Sequence, residues 1–225
     1  MRLLRKYRHT FIIPLYLIFY MTAFQALEMR KTHFHLIHTR IDDMIPFCRY
    51  FIVPYILWFA FVALTVLYFA FGKADRREYY QLIATLGTGM TLFIVVSYLY
   101  PNGHDLRQTL AGSDVFTQAV RMLYRIDTPT NLLPSIHVFN SVACGAALCR
   151  NVRWRRNKAL TTSTWLLAGS IVLSTLFLKQ HSMIDVTLAL ALNIFCDYLF
   201  YKRLPVWYVQ YMMLRKKREG CFVRL

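Results

Sequence analysis

The chain has 225 residues, of which 57% are hydrophobic and only 17% charged, and it carries a formal net charge of +16. A water-soluble fold of this size could not cover so much apolar surface, so the composition excludes an ordinary soluble protein. The length is sufficient for one sizeable domain.

Apolar residues cluster in six long runs. Each run approaches the roughly 20 residues that a helix needs to cross about 30 Å of hydrocarbon. Runs such as "YILWFAFVALTVLYFAF" do not alternate in polarity, so they predict helices and not barrel strands. The predicted helices cover residues 11–27, 50–71, 79–99, 133–149, 159–178 and 183–201. We therefore expect an all-α polytopic membrane protein with six transmembrane helices. It forms a single integral domain over residues 1–225, with a basic tail at 202–225.

The basic residues predict the orientation of these helices. With six spans both termini lie on one side, and nineteen of the 27 Lys and Arg residues fall on that side, against eight on the other. Because basic loops favour the cytoplasm, we expect both termini to be cytoplasmic. We also expect the basic residues to attract anionic lipid at the inner leaflet.

Two other interpretations of the basic residues fit less well. The first apolar run follows a basic N-terminus, as in a secretory signal, but no small-x-small cleavage site follows it, so we expect a retained anchor. The runs "RWRRNK" and "RKKRE" are basic enough for nucleic acid, but they adjoin span ends and no soluble domain accompanies them. No nucleic-acid partner is expected.

Two polar groups stand at the starts of predicted helices. "PSIH" (134–137) opens the fourth helix and "HSMID" (181–185) opens the sixth. The predicted topology brings both starts to the outer side. His181 and Asp185 are four residues apart, so they share one face of a helix, where the carboxylate can orient the imidazole. His137 comes from another helix and could serve as a second acid–base group.

The residues before His137 suit an anion. Pro134 fits a first helical turn, and the free N–H groups that follow, together with the Ser135 hydroxyl, would cradle a negative charge. Two imidazoles, a carboxylate and an anion cradle indicate phosphoryl transfer. A purely structural interpretation also exists, because Ser182 and Asp185 fit an S-x-x-D capping box.

These residues resemble the type 2 phosphatidic acid phosphatase superfamily. "PSIH" is similar to its second signature, and "STLFLKQHSMID" (174–185) to its third, with the spacing from Ser174 through His181 to Asp185 retained. The resemblance implies that His181 is the nucleophile that forms a phosphohistidine and that Asp185 orients it. It implies that His137 protonates the departing alcohol and that Ser135 helps to hold the phosphate. It implies neither a metal nor another cofactor.

The chain departs from the superfamily at its cations. Thr175 stands where the third signature has an arginine. In the first signature Tyr100 replaces the lysine, and Arg107 is retained but is followed by Gln108 instead of proline. The remaining basic residues on the predicted outer loops near the site are the expected phosphate ligands: Arg107, Lys179 and Arg125.

The missing cations bear on the substrate. A phosphomonoester is nearly dianionic and favours several cations, whereas a phosphodiester bears one charge. The resemblance thus implies either hydrolysis of a lipid phosphate or head-group transfer on a phospholipid, as in sphingomyelin and inositol-phosphoceramide synthases. We expect a phospholipid or lipid phosphate as substrate, a location in the plasma membrane, and an active site on the extracytoplasmic side.

Three other features admit different functions. "HFHLIH" places His33, His35 and His38 close enough to bind zinc or copper, but no further ligand follows at a familiar spacing, so an interfacial segment is expected. Paired axial histidines would suit a haem-bearing electron carrier. Histidines that relay protons would suit a non-enzymatic transporter.

Overall fold

The computed structural model describes residues 7–72 and 74–205. The predicted basic tail from residue 206 onward lies outside the described residues, as do Arg2, Arg5 and Lys6. Most of the described chain is helical, which confirms the predicted all-α class. The helices are α1 (Ile12–Glu28), α2 (Arg40–Met44), α3 (Ile52–Phe71), α4 (Arg76–Leu99), α5 (Val115–Ile126), α6 (Ile136–Arg150), α7 (Val152–Arg155), α8 (Lys158–Phe177) and α9 (Met183–Asp197).

Short helical segments extend three of these helices. The 3₁₀ turns Arg8–Phe11 and Arg49–Phe51 lead into α1 and α3, and a π-helical segment, Tyr198–Arg203, continues α9. Five of the resulting segments in the described chain are long and apolar enough to cross a membrane, and they correspond to five of the six predicted spans. They are Arg8–Glu28, Arg49–Phe71, Arg76–Leu99, Lys158–Phe177 and Met183–Arg203.

The remaining predicted span, the fourth at 133–149, corresponds to α6. This helix has only 15 residues, about 22 Å at 1.5 Å per residue. It is short because the chain reaches Ile136 as an irregular segment. Most of α6 is buried, and it packs against α3, α4, α8 and α9. Six membrane spans therefore stay a prediction.

Close packing fixes α6 against α4. A Cβ atom at Gly89 would lie 2.1 Å from Cε1 of Phe139, so the two helices can approach only because residue 89 has no side chain. Phe139 lies two residues after His137 and is almost fully buried. The start of α6 is thereby held in the middle of the bundle.

Three connections meet at one end of the bundle, which we call the site end. The amide of Asn131 donates to a carboxylate oxygen of Glu28 at 2.8 Å, and a guanidinium nitrogen of Arg107 donates to Oε1 of Gln180 at 2.7 Å. These contacts join segments that are far apart in sequence. The connections of the site end are residues 29–51, 100–135 and 178–182.

Both limits of the described chain lie at the opposite end. The Tyr79 hydroxyl donates to the carbonyl of His9, and the Gln81 amide donates to the carbonyl of Phe200. The two limits of the described chain thus approach the same end of the bundle, as the predicted even number of spans would require. Their cytoplasmic orientation stays a prediction.

A two-residue parallel strand pair joins the first two connections of the site end, 29–51 and 100–135. His35 of β1 (His35–Leu36) pairs with Asn102 of β2 (Asn102–Gly103). The side-chain oxygen of Asn102 then accepts hydrogen bonds from the backbone N–H groups of Leu132 and Leu133, at 2.7 and 3.1 Å. This pairing holds the segment that enters α6.

Candidate active site

The start of α6 is fixed by Ser135. This residue is the N-cap of the helix, and its hydroxyl oxygen accepts a 3.4 Å hydrogen bond from the N–H of Val138. The N–H of Ser135 donates to the carbonyl of Asp185 at 3.4 Å, so the starts of α6 and α9 are in direct contact. The Ser135 hydroxyl uses only an acceptor position here and can still donate its proton.

The start of α9 has the predicted capping box, and the carboxylate of that box also contacts His181. Oδ2 of Asp185 accepts a 2.8 Å hydrogen bond from the N–H of Ser182, the N-cap residue. The same oxygen lies 3.2 Å from Nδ1 of His181. Asp185 is fully buried and His181 is 5% exposed, so water does not compete for this pair. The Asp185 carboxylate therefore caps the start of α9 and also contacts the imidazole of His181.

The two imidazoles lie side by side. The ring centroids of His137 and His181 are 5.7 Å apart, with the planes tilted by 56°. Two aromatic rings from α3 enclose His137, with centroids 4.7 Å away for Tyr55 and 4.2 Å away for Trp58. Two histidines and an aspartate therefore lie close together: His137 comes from α6, Asp185 from α9, and His181 from the turn that precedes α9.

The turn before His181 is held by hydrogen bonds. The N–H groups of Gln180 and His181 both donate to the carbonyl of Thr175, at 2.9 and 3.1 Å. The Tyr124 hydroxyl donates to the carbonyl of Leu178 at 2.8 Å. Thr175 itself is fully buried, and its hydroxyl donates to the carbonyl of Val172. Thr175, at the position where the resemblance expects an arginine, is therefore enclosed within the protein.

Arg107 is brought beside this turn. Its guanidinium donates to the carbonyls of Tyr124 and Asp127, at 2.9 and 2.5 Å, and to Oε1 of Gln180 at 2.7 Å. Burial lowers the pKa of Arg107, an effect opposed by the nearby charge of Asp127. Asp127 also accepts a 2.6 Å hydrogen bond from the hydroxyl of Tyr55. Arg107 is thereby connected through Asp127 to the ring that covers His137.

The other two predicted phosphate ligands point elsewhere. The buried ammonium of Lys179 donates to the carbonyl of Asp42 at 2.5 Å. Arg125 lies in the last turn of α5 with its side chain exposed, and no hydrogen bond or ion pair connects it to another part of the described chain. Of the three cations, only Arg107 has a side chain that hydrogen-bonds to Gln180, the residue before His181.

Asp42 anchors the start of α9. Within α2 it forms a capping box with Thr39, and it also accepts hydrogen bonds from the Ser182 hydroxyl at 2.6 Å and the Met183 N–H at 2.8 Å. Burial raises the pKa of Asp42, but the hydrogen bonds from Ser182, Met183 and Thr39 outweigh it and hold the pKa below its ordinary value. A carboxylate 140 positions earlier in the chain thus fixes the residues that follow His181.

His104 is a buried site-end residue that sequence reasoning did not single out. It lies between Gln180 and Leu106, with a hydrogen bond to each. Burial lowers its pKa to about 4. The available signal was its position in "YPNGHDLRQ", three residues before Arg107. Tyr55 and Trp58 carried no such signal, since aromatic residues are common in apolar helices.

The histidines of "HFHLIH" do not converge. The ring of His35 stacks on Tyr100 with centroids 4.5 Å apart, and the ring of His38 lies between the carboxylates of Asp43 and Asp105. Nowhere in residues 7–72 and 74–205 do three or more metal-ligating side chains form a group that could hold a metal ion. An interfacial role for this segment stays a prediction.

Several polar atoms around the two imidazoles are buried without a hydrogen-bond partner in the described chain. They include the donors Nε of Arg107, Nε2 of Gln180 and Nε1 of Trp58, together with Nδ1 of His137. Buried donors left unpaired are costly, and an oxyanion would satisfy them. The arrangement therefore suits the binding of an anionic group between two imidazoles.

Residues 119–208 match the family model of the PAP2 superfamily. The matched segment runs from α5 through α9 and includes both polar groups at the helix starts. No curated protein and no solved structure matches the chain. The resemblance to the type 2 phosphatidic acid phosphatase superfamily is therefore confirmed for the part of the chain that carries both motifs. PAP2 superfamily members are phosphatases or phosphotransferases that act on phosphate esters. Arg107 and His104 lie before the matched segment.

Proposed function

We propose that this protein is a membrane phosphatase or phosphotransferase that acts on a lipid phosphate ester through a phosphohistidine at His181. The observation that carries the proposal is the meeting of His181, Asp185 and His137. Nδ1 of His181 faces the carboxylate, so the carboxylate favours the tautomer with a proton on Nδ1 and a lone pair on Nε2. That lone pair is the nucleophile.

The reaction has two steps. Nε2 of His181 attacks phosphorus, the bond from phosphorus to the lipid oxygen breaks, and protonated His137 gives its proton to the departing alcohol. In the second step neutral His137 takes a proton from water or from an acceptor alcohol, which attacks phosphorus and releases His181. Asp185 stabilises the positive charge that His181 acquires in between.

Five polar groups would receive the phosphate oxygens. The donors that now lack partners, on Arg107, Gln180 and Trp58, support this role, as do the Ser135 hydroxyl and the N-terminus of α6. Lys179 and Arg125 would contribute charge without direct contact. No metal ion is required for either step.

The small number of cations supports a second candidate, a phospholipid head-group transferase. The Lys179 ammonium is used by the Asp42 carbonyl, and buried Thr175 replaces the arginine of the third signature. Of Arg107, Lys179 and Arg125, only Arg107 then has a side chain that hydrogen-bonds to the turn, which suits the single charge of a phosphodiester better than a dianion. The two candidates share the phosphohistidine and differ in substrate and acceptor.

In this proposal six helices cross the plasma membrane and both termini are cytoplasmic. The distribution of Lys and Arg supports that orientation. The site end would then open on the extracytoplasmic side, where it meets lipids of the outer leaflet. The family match favours phosphoryl chemistry over an electron carrier or a transporter.

The test uses purified protein with labelled phosphatidic acid, diacylglycerol pyrophosphate or phosphatidylcholine, each with and without ceramide or diacylglycerol. Wild-type protein should release phosphate or exchange a head group, His181→Ala should do neither, and His33→Ala, which changes an exposed histidine, should behave as wild type. EDTA should have little effect. Undiminished turnover in His181→Ala, or a strict metal requirement, would contradict the mechanism.

A further inference from the structure

His104 has a defined tautomer. Its Nδ1 lies 3.2 Å from the backbone nitrogen of Leu106, which can only donate, so Nδ1 accepts. The ring proton is therefore on Nε2, which donates to the carbonyl oxygen of Gln180 at 2.9 Å. The side chain is buried, with both ring nitrogens used by the protein.

The carbonyl that His104 binds belongs to the peptide unit that leads into His181. The oxygen of this planar unit is on Gln180 and its hydrogen is on the nitrogen of His181. His104 holds the oxygen, and the Thr175 carbonyl accepts the hydrogen at 3.1 Å. The peptide plane is therefore fixed on both sides, and its orientation sets the direction in which the His181 side chain leaves the backbone.

We propose that His104 is a positioning residue that fixes the Gln180–His181 peptide plane and thereby aims the imidazole of His181. Its effect on turnover rests on the proposed function, but its effect on the orientation of His181 does not. The arrangement needs a side chain that accepts from Leu106 and donates to Gln180 at the same time. A neutral imidazole meets this need, and so does the amide of glutamine.

Two variants separate this role from packing. His104→Phe keeps a ring of similar size but forms neither hydrogen bond, whereas His104→Gln has one acceptor and one donor to replace both. We expect His104→Phe to lower kcat by about 100-fold, the loss that a displacement of about 1 Å can cause, with KM changed by less than about threefold. His104→Gln should recover most of that loss. His33→Phe, at an exposed position of the site end, is the control.

A spectroscopic measurement makes the test independent of turnover. In protein labelled with ¹⁵N-histidine, and assigned with His181→Ala, the His181 amide resonance should shift in His104→Phe and stay near its wild-type position in His104→Gln. A shift in protein that shows no turnover on any lipid would support the positioning role and count against the proposed function. Positioning is overturned if the resonance does not move in His104→Phe, if kcat is retained there, or if His104→Gln fails to recover it.

Discussion

The hydrogen bonds between Asp42 and the start of α9 lead to a quantitative prediction. In Asp42→Asn one carboxylate oxygen becomes an NH₂ group. Oδ1 accepts from the N–H of Met183, and Oδ2 accepts from the N–H and hydroxyl of Thr39 and from the hydroxyl of Ser182. The hydroxyls can rotate and accept, but either orientation of the amide leaves one backbone N–H facing a nitrogen. The variant therefore loses a charge-assisted hydrogen bond and buries an unpaired donor.

These losses set the expected magnitude. A hydrogen bond to a charged group contributes about 1.5 to 3 kcal/mol, and an unpaired buried donor costs about 1 to 3 kcal/mol. Because both costs concern the same backbone N–H, they overlap, and we expect a loss of about 2 to 4 kcal/mol in the free energy of unfolding. For a chain of this size that corresponds to a fall of roughly 5 to 15 °C in Tm. Because the pKa of Asp42 is lowered, the carboxylate contributes fully above its ordinary pKa near 3.8, and the contribution is lost as pH falls further.

The assay is thermal unfolding in mild detergent at pH 7, followed by tryptophan fluorescence. Asp43→Asn is the matched control, because Asp43 is the adjacent carboxylate and its side chain is 65% exposed. We expect little change in the control, since exposed ion pairs contribute little. Equal Tm values for Asp42→Asn and Asp43→Asn would refute the inference that Asp42 holds α9.

Three further predictions concern the site. Because the pKa of His104 is lowered to about 4, the unfolded chain takes up a proton at this residue before the folded protein does, as pH falls below about 6.5. Wild-type protein should therefore lose about 2 kcal/mol more stability than His104→Gln between pH 7 and pH 5, measured by denaturant unfolding. Equal losses would contradict a buried, neutral His104. Asp185→Asn should lower kcat less than His181→Ala does, because the His181 imidazole remains and loses only the carboxylate that orients it and stabilises its positive charge. A kcat equal to that of wild type would show that Asp185 has no part in the mechanism. Thr175→Arg should raise the ratio of monoester to diester turnover, because it adds a cation near the site. It should also lower Tm, since position 175 is fully buried. An unchanged ratio would show that this cation does not select the substrate.

Regular and local features of the molecule were predictable. Apolar runs predicted five long helices to within a few residues, because crossing hydrocarbon demands a long uninterrupted apolar segment. The contact of His181 with Asp185 was predicted from their spacing, but the reason differs from the expected shared helix face. His181 precedes the N-cap Ser182, and the Asp185 carboxylate reaches back over the start of α9 to contact it. Helix α5 was not predicted, because its twelve residues lie within a turn-rich connection and are too few to mark a span.

Contacts between distant segments were not predictable. Asp42 belongs to the capping box of α2 and binds the start of α9, 140 positions later in the chain. His104 binds Gln180 from 76 positions away, and the Lys179 ammonium is taken by a carbonyl 137 positions earlier. No periodicity encodes such pairs, because they depend on how the connections of the site end fold over one another.

The amino-acid sequence alone determined the class of protein, the helices and the two motifs, since composition, apolar length and residue spacing act locally along the chain. The tertiary structure decided which cation binds Gln180 next to His181, which carboxylate anchors α9, and which peptide unit hydrogen-bonds to His104. These depend on hydrogen bonds that form only when the helices pack and bury the connections of the site end. Burial makes each unpaired polar group costly, so packing selects the partners that the sequence leaves open.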